Sequence, residues 1–157
     1  MHMSVQLGQE VIELLRDPQT LKVLATVDER GVPHVVVKGS LSVNLDGDLQ
    51  VLELLETSRT NRNLVRSIWY DRRVAILLKG QDGRSFQIKG LPVRAHVSGP
   101  VFQKHYSEVR ARLGDVDLAA VWIIRPDEIL DETPGVRRKE EQAAHPSFTH
   151  LDRLVRA

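Results

Sequence analysis

The chain of 157 residues contains no cysteine, and this absence alone excludes several classes of protein. Disulfide scaffolds, thiolate zinc sites, iron–sulfur clusters and cysteine nucleophiles all need cysteine. Long apolar runs are also missing. The longest runs from Leu118 to Ile124, against roughly 20 residues for a helix that spans a bilayer. We therefore expect no membrane partner.

The chain also lacks an excess of charge of either sign, with 22 basic residues against 21 acidic ones and a net charge of +1. Proteins that coat nucleic acids usually show a strong basic excess, so we expect no nucleic-acid partner. The first residues carry neither a basic segment nor an apolar one that would suggest a secretory leader. The sequence therefore predicts a cytoplasmic protein.

The common enzyme motifs are missing as well. The chain has no G-x-G-x-x-G, no phosphate loop, no H-E-x-x-H and no G-x-S-x-G, so it predicts neither a Rossmann dinucleotide site nor a zinc or serine hydrolase. The six histidines show no metal-ligand spacing and read as surface residues. We expect no metal site, and the catalytic residues stay unknown.

What the sequence does contain is a series of short apolar segments separated by turn residues. It predicts a helix over Ser4–Arg16, a polar loop leading into a short helix after Thr57, and a helix over Gly99–Leu113. Asp46-Gly47, between two apolar segments, predicts a hairpin. The first three strands, joined by short turns, are expected to form a meander, and six strands suit a small closed barrel. The predicted strands are Leu21–Val27, Val32–Val43, Leu49–Leu55, Val74–Lys79, Phe86–Val97 and Leu118–Ile124.

The segment from Thr57 to Asn63 carries the strongest chemical signal. Thr57 and Ser58 stand where a strand gives way to a helix, and Arg59 follows. A helix N-terminus leaves N–H groups unpaired and favours an anion, and hydroxyls with an arginine add donors for a phosphate. The alternative is a plain serine or threonine N-cap followed by solvated arginines.

Two other features allow both a functional and an ordinary interpretation. Lys38-Gly39-Ser40 interrupts an apolar strand, which either admits a ligand close to the backbone or is a bulge with its lysine in solvent. The aromatic residues Trp69, Tyr70 and Trp122 are able to stack on a ring, but core or interface packing is their commoner use.

In order along the chain, the motifs resemble those of the pyridoxamine-5′-phosphate-oxidase-like family of FMN-binding split barrels, and within it the small FMN-binding proteins. The matching segments cover roughly residues 20–132. They are Pro33-His34-Val35-Val36-Val37, Leu49 to Leu55, Thr57-Ser58-Arg59-Thr60-Asn61-Arg62-Asn63-Leu64, Arg72-Arg73-Val74-Ala75 and Ser85-Phe86-Gln87-Ile88-Lys89-Gly90.

The resemblance implies a mainly β fold, a six-stranded antiparallel split β-barrel with flanking α-helices, that forms a homodimer with FMN at the interface. In that family the phosphate is gripped at the helix start and the ring lies along the second strand. Carried over, the cofactor-binding residues are Val37, Lys38, Gly39, Ser40, Leu55, Thr57, Ser58, Arg59, Thr60, Asn61, Ser85 and Gln87.

The implied function is that of a flavin-dependent oxidoreductase or electron carrier, with Arg59 neutralising the phosphate and Lys38 stabilising negative charge on the reduced ring. The chain departs from the family at Glu56, where small residues are usual, and the oxidase's C-terminal Arg-x-His is not recognisable. The alternatives are a non-catalytic flavin- or haem-binding module and a deazaflavin-dependent reductase.

We expect residues 1–134 to form the FMN-binding domain and residues 135–157 a charged C-terminal helical extension that covers part of the site. The apolar segment Leu118–Ile124 offers more than the one interior face of a small barrel needs. Exposed apolar surface of this kind favours association, and this supports the expected homodimer.

Overall fold

A computed structural model describes residues 4–146 of the chain. In this part of the protein a curled antiparallel sheet of seven strands is accompanied by four helices. The elements are α1 (Gln9–Arg16), β1 (Leu21–Val27), β2 (Pro33–Val37), β3 (Ser42–Val43), β4 (Leu49–Glu53), α2 (Arg59–Trp69), β5 (Val74–Lys79), β6 (Ser85–His96), α3 (Gly99–Leu113), β7 (Ala120–Asp131) and α4 (Pro134–Ala144). No helix in the described range is long and apolar enough to cross a membrane.

The strand order β2-β1-β5-β6-β7-β4-β3 shows why the sheet must curl. Every neighbouring pair is antiparallel. Six strand spacings of about 4.8 Å would separate the outer strands of a flat sheet by about 29 Å. The step from Val37 to Ser42 spans at most about 18 Å when fully extended. The two edges therefore approach each other, and the sheet forms a half-barrel.

The predicted second strand, Val32–Val43, is in fact two strands at opposite ends of this order. A turn in which the Leu41 N–H donates to the Lys38 carbonyl, at 3.1 Å, ends β2. β2 pairs with β1 and β3 pairs with β4, so the predicted three-stranded meander is wrong. Residues 4–146 contain seven strands rather than the predicted six.

Other boundaries differ at the ends of elements. Helix α1 begins at Gln9 rather than Ser4, because the preceding segment is extended and the Val5 N–H donates to the Pro126 carbonyl at 3.0 Å. Strand β7 continues to Asp131 instead of ending at Ile124. Its extension pairs with β6, which is a long-range partner that local sequence does not indicate.

The main core lies inside the curl, where alternate residues of the strands meet α1 and α2. This alternation follows from the two-residue period of strand side chains. Leu14 of α1 and Leu64 of α2 belong to this core. The strand residues fully buried there include Leu24, Leu49, Val51, Ile76, Leu78, Ile88 and Ile124.

Strand β7 is apolar on both faces because each face is covered within the same chain. Trp122 and its alternate neighbours belong to the main core. Val121 and Ile123 point the other way and pack with Phe102 and Tyr106 of α3. This strand therefore gives no support to the expected homodimer, because α3 covers its second apolar face.

Helix α4 has little contact with the sheet. Helix α4 has no buried residue, although the Thr133 side chain that precedes it accepts a hydrogen bond from the Ser85 N–H at 3.0 Å. The predicted extension from 135 to 157 therefore begins as a helix, and its residues from 147 onward lie outside the described part of the chain.

Candidate functional site

A cavity of about 410 Å³, which we call the Lys38 cavity, lies where β2 breaks and the chain crosses to the other edge of the sheet. It is formed by the end of β2 and the following turn, the end of β4, and the C-terminal end of α3. Its lining residues are Val37, Lys38, Gly39, Ser40, Leu52, Glu53, Leu54, Arg112 and Leu113. The first four are all predicted cofactor-binding residues.

Ser40 holds the crossing turn against β4. Its hydroxyl accepts a hydrogen bond from the Leu52 N–H at 3.0 Å and donates to the Leu52 carbonyl at 3.3 Å. These two contacts replace the backbone ladder at a point where the sheet has no paired strand. The Ser40 side chain therefore shapes the cavity, and its hydroxyl is engaged by the protein itself.

Lys38 forms an ion pair that the sequence did not reveal. Its Nζ lies 2.7 Å from Oε2 of Glu53, whose side chain is only 5% exposed, against 18% for Lys38. The other carboxylate oxygen, Oε1, accepts from the Leu55 N–H at 3.1 Å. Lys38 is thus neither a lysine in solvent nor an unpaired charge.

The alternation of residues along β4 indicates that Glu53 is buried. Leu49, Val51 and Glu53 alternate along β4, and all three are buried. A glutamate in the inward series of a strand is almost never buried unless it is paired. The position therefore called for a cation across the sheet, but only the fold identifies that cation as Lys38.

Arg112 of α3 is a second cation of the Lys38 cavity that sequence reasoning missed. Within residues 4–146 no carboxylate pairs with it, whereas Arg110, two residues earlier, lies near Asp115 and Asp117. With Lys38 and Glu53 neutralising each other, Arg112 leaves the cavity with a net positive charge. An anionic group is favoured there.

At the start of α2 both interpretations of the sequence are partly present. Ser58 is the N-cap, and its hydroxyl accepts from the Asn61 N–H at 3.0 Å, as in the plain-cap alternative. The N–H groups of Arg59 and Thr60 have no hydrogen-bond partner in the described range. Arg59 and Thr57 are exposed, so the end of the helix stays open to an anion.

The next two predicted residues point into the protein. Thr60 is 3% exposed and Asn61 is 9% exposed. The Asn61 amide donates to the Glu56 carbonyl at 2.9 Å and accepts from the Trp122 indole N–H at 2.8 Å. Asn61 therefore stabilises the start of α2 from its buried side. Trp122 is a core residue and is not exposed for stacking on a ring.

The predicted residues on β6 are not brought to the Lys38 cavity within one chain. The strand registers place Val37, Val23, Leu77 and Gln87 in one row across β2, β1, β5 and β6. Three strand spacings separate the first from the last, about 14 Å. Ser85 lies at the far end of β6, where its backbone bonds to Thr133.

Among the described residues, no three histidine, aspartate or glutamate side chains gather in a way that could hold a metal ion. Trp69 and Tyr70 are exposed at the end of α2, at 78% and 65%.

His96 and His105 were predicted to be surface residues, yet both are only partly exposed, in a second cavity outside the predicted site. Burial, helped by Arg94 and His105, lowers the pKa of His96.

No protein-family model and no curated protein matches the chain. Solved structures do match. HupZ of Group A Streptococcus gives a TM-score of 0.68 at 20% identity, over 82% of this chain and 96% of that one. An FMN-binding protein from Syntrophomonas wolfei gives 0.62 at 15% identity, over 79% and 87%. A Lactobacillus delbrueckii protein provisionally assigned as a pyridoxamine 5′-phosphate oxidase gives 0.60 at 24%, over 80% and 93%.

Further matches widen the range of cofactors named for these structures. An F420 reductase gives a TM-score of 0.57 at 21% identity. HutZ, the haem storage protein of Vibrio cholerae, gives 0.53 at 18% identity. Since all these identities are below 25%, the likeness establishes a shared fold, and the cofactor of this chain has to be argued from its own residues.

Proposed function

From the fold of the pyridoxamine 5′-phosphate oxidase-like proteins, we propose that this chain binds FMN and acts as a flavin-dependent oxidoreductase or electron carrier. The observation that carries the proposal is the Lys38 cavity. It is lined by residues 37–40, which the sequence assigned to the cofactor, and by Leu54, five residues before α2 begins.

The Lys38 cavity fits a cofactor of this kind in size and chemistry. Its volume of about 410 Å³ lies within the range of small-molecule sites, which are mostly apolar with a few placed polar groups. Val37, Leu52, Leu54 and Leu113 supply apolar wall for a ring. FMN, when bound, would supply the redox chemistry, and the protein its position and electrostatics.

The charged side chains near the Lys38 cavity and at the start of α2 would each contribute to binding the cofactor. Glu53 fixes Lys38 at 2.7 Å, so the ammonium is a positioned hydrogen-bond donor rather than a mobile charge. Arg112 adds the positive charge that favours an anionic ligand. Arg59 and the unpaired N–H groups at the start of α2 suit a phosphate, because aligned helix dipoles and arginine both attract it.

We propose further that two copies associate through the outer face of β2 and β1. Val35 and Val37 of β2 are 62% and 67% exposed, and they continue through Val23 to Leu77 as an apolar row. A contiguous exposed apolar patch of this kind marks an interaction site. A homodimer across this face would cover the row and place FMN at the interface.

The haem alternative is less well supported by the lining residues. None of the residues that line the Lys38 cavity is a histidine, the usual axial ligand of haem in globins and peroxidases. A deazaflavin needs an anion site as FMN does. Releasing the co-purified ligand and measuring its absorption and mass separates the candidates, and a haem or deazaflavin in place of FMN would refute the assignment.

Arg59→Ala tests the phosphate contact directly. A hydrogen bond to a charged group contributes on the order of 1.5–3 kcal/mol, so FMN should bind roughly 10- to 100-fold more weakly. Riboflavin, which has no phosphate, should be nearly unaffected. Arg138→Ala removes the same charge from exposed α4 and serves as control. Equal losses for both ligands, or no loss for either, would contradict the proposed role of Arg59.

A further inference from the structure

A second and larger cavity, which we call the His96 cleft, lies away from the Lys38 cavity and contains none of the predicted cofactor residues. Its volume is about 880 Å³. The β3–β4 hairpin, the ends of β6 and β7, and the N-terminal half of α3 form it. Its lining residues are Ser42, Val43, Asn44, Leu45, Asp46, Asp48, Gln50, Val93, Arg94, His96, Val101, Lys104, His105, Ile123 and Arg125.

The floor of the His96 cleft is set by strand register. Gln50 of β4 stands opposite Ile123 of β7, and Ile123 stands opposite Arg94 of β6, so the three side chains share one face. Residues directly opposite across strands have neighbouring side chains. Lys104 and His105 come from α3, one turn into the helix, and face this floor across the cleft.

The cations of the cleft outnumber its carboxylates, and two of them have no counter-ion. No carboxylate in residues 4–146 forms an ion pair with Arg94 or Lys104. Arg125 approaches Asp48 only at 3.9 Å, and Asp46 is the other carboxylate of the lining. Two unpaired cations facing one concave space create a positive potential there, and such clefts concentrate anions.

One of the two histidines in the cleft is held by neighbouring side chains. His105 is held on both sides: its Nε2 lies 3.1 Å from the Gln50 amide nitrogen, and its Nδ1 lies 3.3 Å from the Glu108 carboxylate. These two contacts fix the orientation of the His105 ring. His96 makes no hydrogen bond within the described range, and its ring is therefore available to a ligand.

Apolar side chains sit beside these polar groups. Val93 and Val101 are 37% and 38% exposed, and Leu45 at the hairpin tip is completely exposed. A ligand without an apolar part would leave these apolar side chains in contact with water. A ligand with an apolar part would cover them, and burial of apolar surface stabilises the complex. The lining therefore matches a small molecule with an anionic head and an apolar body.

We propose that the His96 cleft is a second binding site, independent of the flavin, for a small organic anion that carries a carboxylate or a phosphate on an apolar body. Arg94 and Lys104 bind the anionic head, and His96 lies at the base of the cleft as a further polar contact. Val93, Val101 and Leu45 contact the apolar body.

The test is amide chemical-shift mapping by NMR with four probes: phenyl phosphate, benzoate, phenol and inorganic phosphate. We expect phenyl phosphate or benzoate to shift the amides of residues 93–96 and 101–105, and the stronger of the two identifies the head group. Phenol and inorganic phosphate, each lacking one half of the proposed ligand, should bind at least tenfold more weakly.

Charge-removing variants sharpen the test. Arg94→Gln and Lys104→Gln should each lower the affinity for the probe by about tenfold, because each variant loses one charged contact that is partly open to water. Both residues are exposed, so the fold should be retained. Arg138→Gln and Lys139→Gln make the same changes on α4 and should leave the affinity unchanged.

Two results would overturn the proposal. One is a set of shifts spread over the surface, or centred on residues 37–40 instead of the His96 cleft. The other is equal weakening by the cleft variants and the α4 controls, which would show binding to overall charge. FMN affinity measured on the same variants should stay at the wild-type value, so failure here is distinguishable from failure of the flavin assignment.

Discussion

Replacing Lys38 by methionine tests whether the ion pair with Glu53 organises the Lys38 cavity. The variant keeps the length of the side chain and removes its charge. The Glu53 carboxylate, whose side chain is only 5% exposed, then keeps the Leu55 N–H as its remaining hydrogen-bond donor. Breaking a buried pair by removing one partner costs about 3–5 kcal/mol. Because Lys38 is 18% exposed and water reaches it, we expect a loss of about 2–4 kcal/mol.

The assay is equilibrium unfolding in urea, with thermal unfolding as a second readout. For a domain of this size a change of 1 kcal/mol shifts Tm by about 2–4 °C, so a loss of 3 kcal/mol should lower Tm by about 6–12 °C. The denaturant slope m should stay constant, since the surface exposed on unfolding is the same.

Lys38→Met/Glu53→Gln is the decisive companion variant. It removes both charges but keeps an acceptor for the Leu55 N–H, so it should recover at least half of the lost stability. Lys79→Met, at an exposed position ending β5, is the matched control and should change stability by less than about 0.5 kcal/mol. A Lys38→Met loss no larger than the control, or a double variant no more stable than the single one, would refute the reasoning.

Three other predictions follow from named contacts. Gly90→Ala should cost about 1–3 kcal/mol in urea unfolding, because the new Cβ would lie 2.6 Å from the Arg125 carbonyl oxygen. Asn61→Ala should cost about 1–3 kcal/mol and shift Trp122 fluorescence, because the indole N–H then loses its acceptor. His96 should titrate by NMR below 6.5, since its pKa is lowered by burial and nearby cations. The unfolded chain then binds more protons, so this contribution to stability is complete above about pH 6.5 and is lost as the pH falls below it.

Each of these has its own control. Gly135→Ala, where nothing lies within 4 Å of the new Cβ, should be tolerated, and equal losses at Gly90 and Gly135 would contradict the close approach. Trp122→Phe combined with Asn61→Ala should cost less than the sum of the two single changes; strict additivity would argue against their hydrogen bond. A His96 midpoint at or above 6.5, or one unchanged by Arg94→Gln, would contradict the proposed causes of its shift.

Much of the fold was readable from local sequence, because short-range geometry decides it. Asp46-Gly47 predicted a hairpin, and the structure has one between β3 and β4, with Gly47 at φ +83°. The helix start after Thr57 was also predicted, and Ser58 caps it through the Asn61 N–H. Turn and cap preferences depend on a few neighbouring residues, so no distant partner is needed to infer them.

The sequence alone therefore determined most of the strand and helix segments, though not all of their ends, and it selected residues 37–40 as candidates for a ligand. Only the tertiary structure decided where those segments go. Local pattern does not distinguish a bulge at Lys38 from a turn that carries the chain to the opposite edge of the sheet. Nor does it pair Lys38 with Glu53 or bring Arg112 beside them, because these contacts join residues far apart in the chain. The tertiary structure also decided which face of β7 lies under α3. A strand that is apolar on both faces is compatible either with a covering helix or with a second copy of the chain, so the sequence does not distinguish the two.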